Sequence, residues 1–298
     1  MGPVENTISR GVNRLKALQM LLRFHEYGPA FTLAGLFGSL FTFEQLELKT
    51  VWLVFFIASS SALAFVVNDI SDRYVDSHSE SPRNPISLGL ITVKFASIVA
   101  TVLLTASMLS LILLPANLTP VGLVVIFIAF TYSYGIRAKA KPPLDVLYHS
   151  IGPGLYVAMG YMTYRNLDST GLILAIIAML FSAVAELIQE VRDYAKDLKS
   201  AGKATVALLG EKPSLMLANI IMATALILIV ALGITDRRFY WVLPLTPLAS
   251  LLMHPMVRSL KEEGYRTRLP YELNRRGVVV ALIVLLVFLA VRLLGLSA

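Results

Sequence analysis

Of 298 residues, 56% are hydrophobic and only 15% charged, with a mean hydropathy of +0.72; soluble domains carry about 25% charged residues, so a soluble globular class is excluded. The absence of cysteine removes disulfides, thiolate metal sites and cysteine nucleophiles. A net charge of +7 fits the Lys and Arg that membrane proteins gather in cytoplasmic loops, and no nucleic-acid partner is expected.

Residues 1–19 read as a cytoplasmic or interfacial segment, because Val4, Ile8, Val12 and Leu15 share one helical face. The first long apolar run starts near Phe31, after basic and polar sequence, so no signal peptide is expected. A bilayer core of about 30 Å needs roughly 20 apolar residues per helix. Suitable runs stand near 24–43, 50–68, 92–114, 119–135, 145–164, 170–190, 214–235, 239–257 and 277–295. The expected fold is therefore an all-α integral membrane protein, with nine transmembrane helices bundled in one domain over 20–298. The eighth run carries Pro244, Pro247 and Pro255, tolerated in spans where neighbours satisfy the freed carbonyls.

Nine spans place the N-terminus and every second connection on one side of the membrane. Only Lys49, Arg165, Arg237, Arg238 and Arg292 fall opposite, so the rich side is expected to be cytoplasmic in a multi-pass cell-membrane protein.

The second span ends in Asn68-Asp69-Ile70-Ser71-Asp72-Arg73-Tyr74-Val75-Asp76, and the sixth in Gln189-Glu190-Val191-Arg192-Asp193-Tyr194-Ala195-Lys196-Asp197. Aligning Asp72 with Asp193 also aligns Asp76 with Asp197, Asp69 with Glu190 and Asn68 with Gln189. Residues at i, i+3, i+4 and i+7 share a helical face, so each segment projects a stripe of carboxylates. Such stripes repel themselves unless a cation intervenes. Mg²⁺ takes oxygen ligands, usually one or two carboxylates plus substrate phosphates, so the pair suits a metal-bound diphosphate.

Basic, turn-forming sequence follows each stripe: Ser81-Pro82-Arg83-Asn84-Pro85 after the first, Gly202-Lys203-Ala204-Thr205 after the second. Between the fourth and fifth spans lie Tyr132-Ser133-Tyr134-Gly135-Ile136-Arg137, Lys139 and Lys141. Cations and hydroxyls there suit a departing diphosphate, and Arg83, Arg137, Lys139, Lys203 and Tyr132 are the candidates to bind it.

These features resemble the UbiA superfamily of intramembrane prenyltransferases, which has nine transmembrane helices and two acidic motifs. Asn68 to Asp76 carries the first motif intact; Glu190 to Asp197 carries the second, with Glu for its first Asp. Gly202-Lys203-Ala204-Thr205 looks like the family's GKxT stretch, and Arg83-Asn84-Pro85 like its Arg-Pro step with one residue inserted. The resemblance implies an allylic polyprenyl diphosphate bound through Mg²⁺ and a prenyl group passed by way of an allylic cation to a lipophilic acceptor. Asn68, Asp72, Asp76, Asp193 and Asp197 would be metal ligands, with Asp69 and Glu190 a second shell or alternative ligands. Asp72, Asp193 and Arg137 would act directly on the leaving group.

Keeping water from that cation calls for a central apolar cavity capped by the cytoplasmic loops, with Phe65, Tyr132, Tyr148, Tyr156 and Tyr161 as candidates to face the cation. Asp145, His149 and Glu186 could orient or deprotonate an acceptor, and the sequence does not choose among them. Nor does it choose between an aromatic quinone precursor and a geranylgeranylglyceryl phosphate-type lipid. No obligate protein partner is evident. The rival reading is a cation transporter with paired acidic motifs, which predicts acids near mid-bilayer rather than at helix ends.

Overall fold

A computed structural model describes residues 14–42, 47–77, 83–198 and 204–293; the side chains of 25–29, 196–197 and 292–293 lie outside the described residues. Every regular element among the described residues is a helix. In order come α1 (Arg14–Leu22), α2 (Phe24–Leu40), α3 (Leu48–Asp76), α4 (Val93–Leu113), α5 (Thr119–Thr131), α6 (Leu144–Met162), α7 (Ser169–Asp197), α8 (Thr205–Leu209), α9 (Glu211–Thr235), α10 (Ala249–Lys261) and α11 (Leu269–Leu293). Five of these, α3, α4, α7, α9 and α11, are long and apolar enough to cross a membrane. The chain is accordingly a multi-pass membrane protein.

Residue contacts define two compact units, Met1–Ala138 with Leu155–Leu167, and Lys139–Gly154 with Asp168–Ala298. In the first unit α3 packs against α1, α2, α4 and α5. Leu53, Phe56 and Ile57 of α3 are fully buried with Leu111 of α4, Val125 of α5 and Tyr156 of α6. A second cluster joins Ala17 and Leu21 of α1 to Val66 and Ala96. The expected interfacial face beginning at Val4 lies mostly outside the described residues.

Helices in lipid gain little from apolar burial against one another, so close backbone approach and hydrogen bonds must hold them. The α2–α6 contact shows the first device. A Cβ on Gly160 would stand 1.9 Å from the Gly35 carbonyl oxygen, and one on Gly38 would stand 2.0 Å from that of Val157. Both obstacles are backbone, so neither can swing aside. Gly160→Ala is expected to destabilise the protein by about 1–3 kcal/mol or more, lowering the midpoint of thermal unfolding in detergent. The control Gly152→Ala, where a Cβ meets nothing within 4 Å, is expected to leave it unchanged.

In the second unit α9 packs along α7 and touches α8 and α10, around Val184, Leu187, Leu215, Ala218 and Met256. Here the expected eighth span differs from the structure: Arg237–Leu248 is a 3₁₀ segment, and α-helix begins only at Ala249. Pro244 and Pro247 supply no amide hydrogen for the longer-range bonds of an α-helix, and the chain takes the tighter turn instead. On α11 Val278, Leu282, Leu286 and Leu289 are exposed at helical spacing, as a lipid-facing stripe requires.

Helices α3 and α7 matter most for the chemistry. Each runs 29 residues without a break, past the end of its apolar run and through its acidic segment. The carboxylates therefore ride on rigid helix at each end.

Candidate functional site

In the first unit the acidic end of α3 is held by three neighbouring segments. Asn68 Oδ1 accepts from Ser133 Oγ at 2.8 Å, and Ser71 Oγ donates to the Ser133 carbonyl at 2.7 Å. The loop after α5 is thereby fastened to the stripe. Two residues on, the chain turns through Gly135 (φ 66°) and Arg137 (φ 52°), a backbone region that glycine enters freely and arginine does not. Arg137 is exposed and Tyr132 half-buried.

Asp69 is fully buried, and its Oδ1 accepts from Arg23 Nη2 at 2.6 Å. Arg23 occupies a left-handed position (φ 47°) between α1 and α2 and lies over the Phe65 ring, 5.8 Å from its centre. An ion pair so buried is costly to break from one side. Phe65, expected to face a substrate cation, already faces this protein cation.

Asn84, which spacing had not marked for any role, closes the other side. It is buried, and its Nδ2 donates to the Asp69 carbonyl at 2.8 Å and to Asp76 Oδ2 at 2.9 Å. Its Oδ1 accepts from the Ile86 amide at 3.0 Å. The residue inserted into the Arg-Pro step thus staples the loop to the helix end, and Arg83 before it is exposed. Asp72 and Asp76 are half-buried on the same stripe.

The second unit repeats the scheme with different partners. Asp145, at the start of α6, is 2% exposed. Its Oδ2 accepts from the Thr205 amide at 2.6 Å and its Oδ1 from Thr205 Oγ1 at 2.5 Å. Glu190 Oε2 accepts from the next amide, Val206, at 2.9 Å. Two buried carboxylates so receive the first amides of α8, which the helix itself leaves unpaired. Asp193, half-buried, is gripped by the adjacent Arg192 at 2.9 and 2.7 Å. Lys139 is half-buried. Lys203 and the Asp197 side chain lie outside the described residues.

Among the described residues no three His, Asp or Glu side chains converge tightly enough to hold a metal ion by themselves. Asp69 and Glu190, the first acid of each motif, are spent on Arg23 and Val206, whereas Asp72, Asp76 and Asp193 stand further out. Tyr156 is buried, its hydroxyl 3.0 Å from Ser60 Oγ, and Tyr161 is fully buried; both pack helices together. Arg23, which pairs with Asp69, was not among the sequence-derived candidates, since nothing in its spacing marks it.

The sequence profile of the UbiA prenyltransferase family matches residues 29–268, and the chain belongs to that family. A 4-hydroxybenzoate octaprenyltransferase from Legionella pneumophila (strain Paris) is 28% identical over 183 residues, covering 60% of this chain and 63% of the relative. The chain thus matches under two thirds of that enzyme's length. A digeranylgeranylglyceryl phosphate synthase from Sulfolobus acidocaldarius is 25% identical over 211 residues, 70% of this chain and 74% of the relative. Among solved structures, a UbiA homolog from Archaeoglobus fulgidus bound to GPP and Mg²⁺ superposes with a TM-score of 0.75 at 20% identity, over 92% of this chain and 99% of that one. At that identity the likeness establishes the shared fold.

Proposed function

We propose that the protein is a Mg²⁺-dependent membrane prenyltransferase, moving an isoprenyl group from an allylic polyprenyl diphosphate such as geranylgeranyl diphosphate to a lipophilic acceptor. The observation that carries this reading is the duplicated acidic end of α3 and α7. In each copy the first acid is buried in a scaffold contact, while Asp72 and Asp76 of one and Asp193 of the other stand nearer the helix end on the same stripe.

The donor set fits a hard divalent cation, being all oxygen with no thiol or imidazole. Among the described residues the fully buried Asp69 Oδ2 also has no hydrogen-bond partner, an acceptor atom beside Asp72 and Asp76. Mg²⁺ usually takes one or two carboxylates and completes its shell with substrate phosphates and water, so a substrate-assembled centre does not need three converging carboxylates. Asn68, Asp72 and Asp76 of the first segment, and Asp193 and Asp197 of the second, would be the metal ligands. Bound there, it supplies charge neutralisation to the leaving diphosphate.

The chain's own residues do the rest. Arg83, Arg137, Lys139 and Lys203, with the Tyr132 hydroxyl, bind diphosphate oxygens and stabilise the charge that develops as the allylic C–O bond breaks. Asn84 and Asp69 hold the first acidic segment in register, and Asp145 and Glu190 anchor the chain after the second. Nine spans over 20–298, a central apolar cavity closed by the loops, and a cytoplasmic N-terminus and active site complete the proposal. The acceptor is an aromatic quinone precursor or a geranylgeranylglyceryl phosphate-type lipid, the two chemistries found among the relatives.

Removal of divalent metal with EDTA is expected to abolish transfer from labelled geranylgeranyl diphosphate, and added Mg²⁺ to restore it. Metal-driven ion flux in vesicles with no donor binding would select the transporter instead.

A further inference from the structure

Prenyl transfer leaves one proton to be placed. Whether the acceptor attacks through a hydroxyl oxygen or a ring carbon, the atom that gains the prenyl group must lose hydrogen. None of the groups assigned so far receives it, since the cations and the metal-binding carboxylates face the leaving group.

Two turns deeper along α7, in the second unit, lies a cluster that the donor chemistry does not use. Glu186 Oε2 stands 3.3 Å from His149 Nε2 of α6, with side-chain exposures of 14% and 30%. Ser182 Oγ donates to the His149 carbonyl at 3.2 Å and lies 3.3 Å from His149 Nδ1. A hydroxyl has one hydrogen. One tautomer of His149 sets Nδ1–H against a Ser182 lone pair and leaves Nε2 basic, facing the carboxylate across 3.3 Å, so a proton taken by either group is shared with the other.

Placement agrees with this. Glu186, Glu190 and Asp193 occupy one face of α7 at i, i+4 and i+7, so the pair lies about 10 Å from Asp193 along the helix axis. A diphosphate held by the acidic end would extend its allylic carbon in that direction, toward the span interior. Apart from its 3.3 Å approach to His149 Nε2, Glu186 makes no polar contact among the described residues, so its second oxygen is available to an acceptor.

We propose that the His149–Glu186 pair takes up the proton released by the acceptor, an inference that rests on the transferase reading above. The allylic C–O bond breaks with its electron pair passing to the diphosphate oxygen. The acceptor's oxygen or ring carbon forms the new bond to the allylic carbon, and its O–H or C–H bond breaks. The proton passes to Glu186 and is held on the line to His149 Nε2. It returns to water when the prenylated product leaves.

Three full-length proteins in detergent test this: wild type, Glu186→Gln and His149→Ala. Each is assayed with Mg²⁺ for binding of geranylgeranyl thiolodiphosphate, an unreactive donor analogue, and for transfer from geranylgeranyl diphosphate to 4-hydroxybenzoate and to geranylgeranylglyceryl phosphate. A positioned proton acceptor contributes about 10²–10⁴-fold to rate. Both variants are expected to lose at least about 10²-fold in kcat for transfer, with donor-analogue affinity within a few-fold of wild type. Added imidazole is expected to restore transfer in His149→Ala, since it fits the space left, and not in Glu186→Gln. Transfer near the wild-type rate in Glu186→Gln overturns the proposal. So does a loss of donor affinity that matches the loss of transfer, which marks the cluster as a helix tie only. Wild-type protein that binds no analogue and transfers to neither acceptor refutes the transferase reading itself, a different result from either of these.

Discussion

Asp72→Ala and Asp193→Ala are each expected to lower turnover by on the order of 10²–10³-fold or more, by loss of charge stabilisation at the leaving diphosphate. Both residues sit half-buried on acidic stripes, one turn beyond the acids that hold the scaffold. Their removal should therefore spare folding, and thermal unfolding is the control. If the two stripes serve one bound donor, the double variant should be little worse than either single one, because residues that act as a unit are strongly non-additive. Two independent sites would instead multiply the losses. Wild-type turnover in the double variant would refute the proposed centre outright.

Asp145→Ala is expected to act on stability, not on charge at the leaving group. Its carboxylate receives the Thr205 amide and hydroxyl and the Val146 amide at 2.9 Å. Hydrogen bonds to a charged group are worth about 1.5–3 kcal/mol each, and deleting one buried partner strands the others. A loss of about 3–5 kcal/mol is expected. Asp145→Asn, which retains a carbonyl acceptor, should lose less, and Thr205→Val, which removes one hydroxyl, least. Thermal unfolding in detergent gives the ranking; an unshifted midpoint in Asp145→Ala would show that these bonds contribute nothing.

The sequence made one part of this site legible and hid another. Carboxylates at i, i+3, i+4 and i+7 are visible because a helix converts spacing directly into a face. Spacing alone cannot say which acid on a face is committed elsewhere. Asp69 and Asp72 look equivalent along the helix, yet Asp69 is one turn deeper and meets Arg23, 46 residues away in the chain. Glu190 likewise is set apart from Asp193 by the amide of Val206, which approaches from beyond the loop. Asn84 reads as an insertion that weakens a motif. Its three bonds show it to be the residue that lets the altered loop reach the helix end. The eighth run reads as a span by composition, and its prolines divide it into a 3₁₀ turn and a helix because pattern measures polarity and not available amides.

The hydroxyls inside the first unit carry a consequence for aim. Ser59 Oγ lies 2.8 Å from Ser107 Oγ of α4, and Ser60 Oγ meets the Tyr156 hydroxyl of α6. Such clasps in a membrane are worth only about 0.6 kcal/mol on average, too little to glue helices together. Being adjacent in sequence, Ser59 and Ser60 leave α3 about 100° apart and fix its rotation about its own long axis from two sides. A helix indexed in this way cannot swivel, and the bearing of its charged tip is set two to four turns away, within the apolar slab where no water competes for the pins.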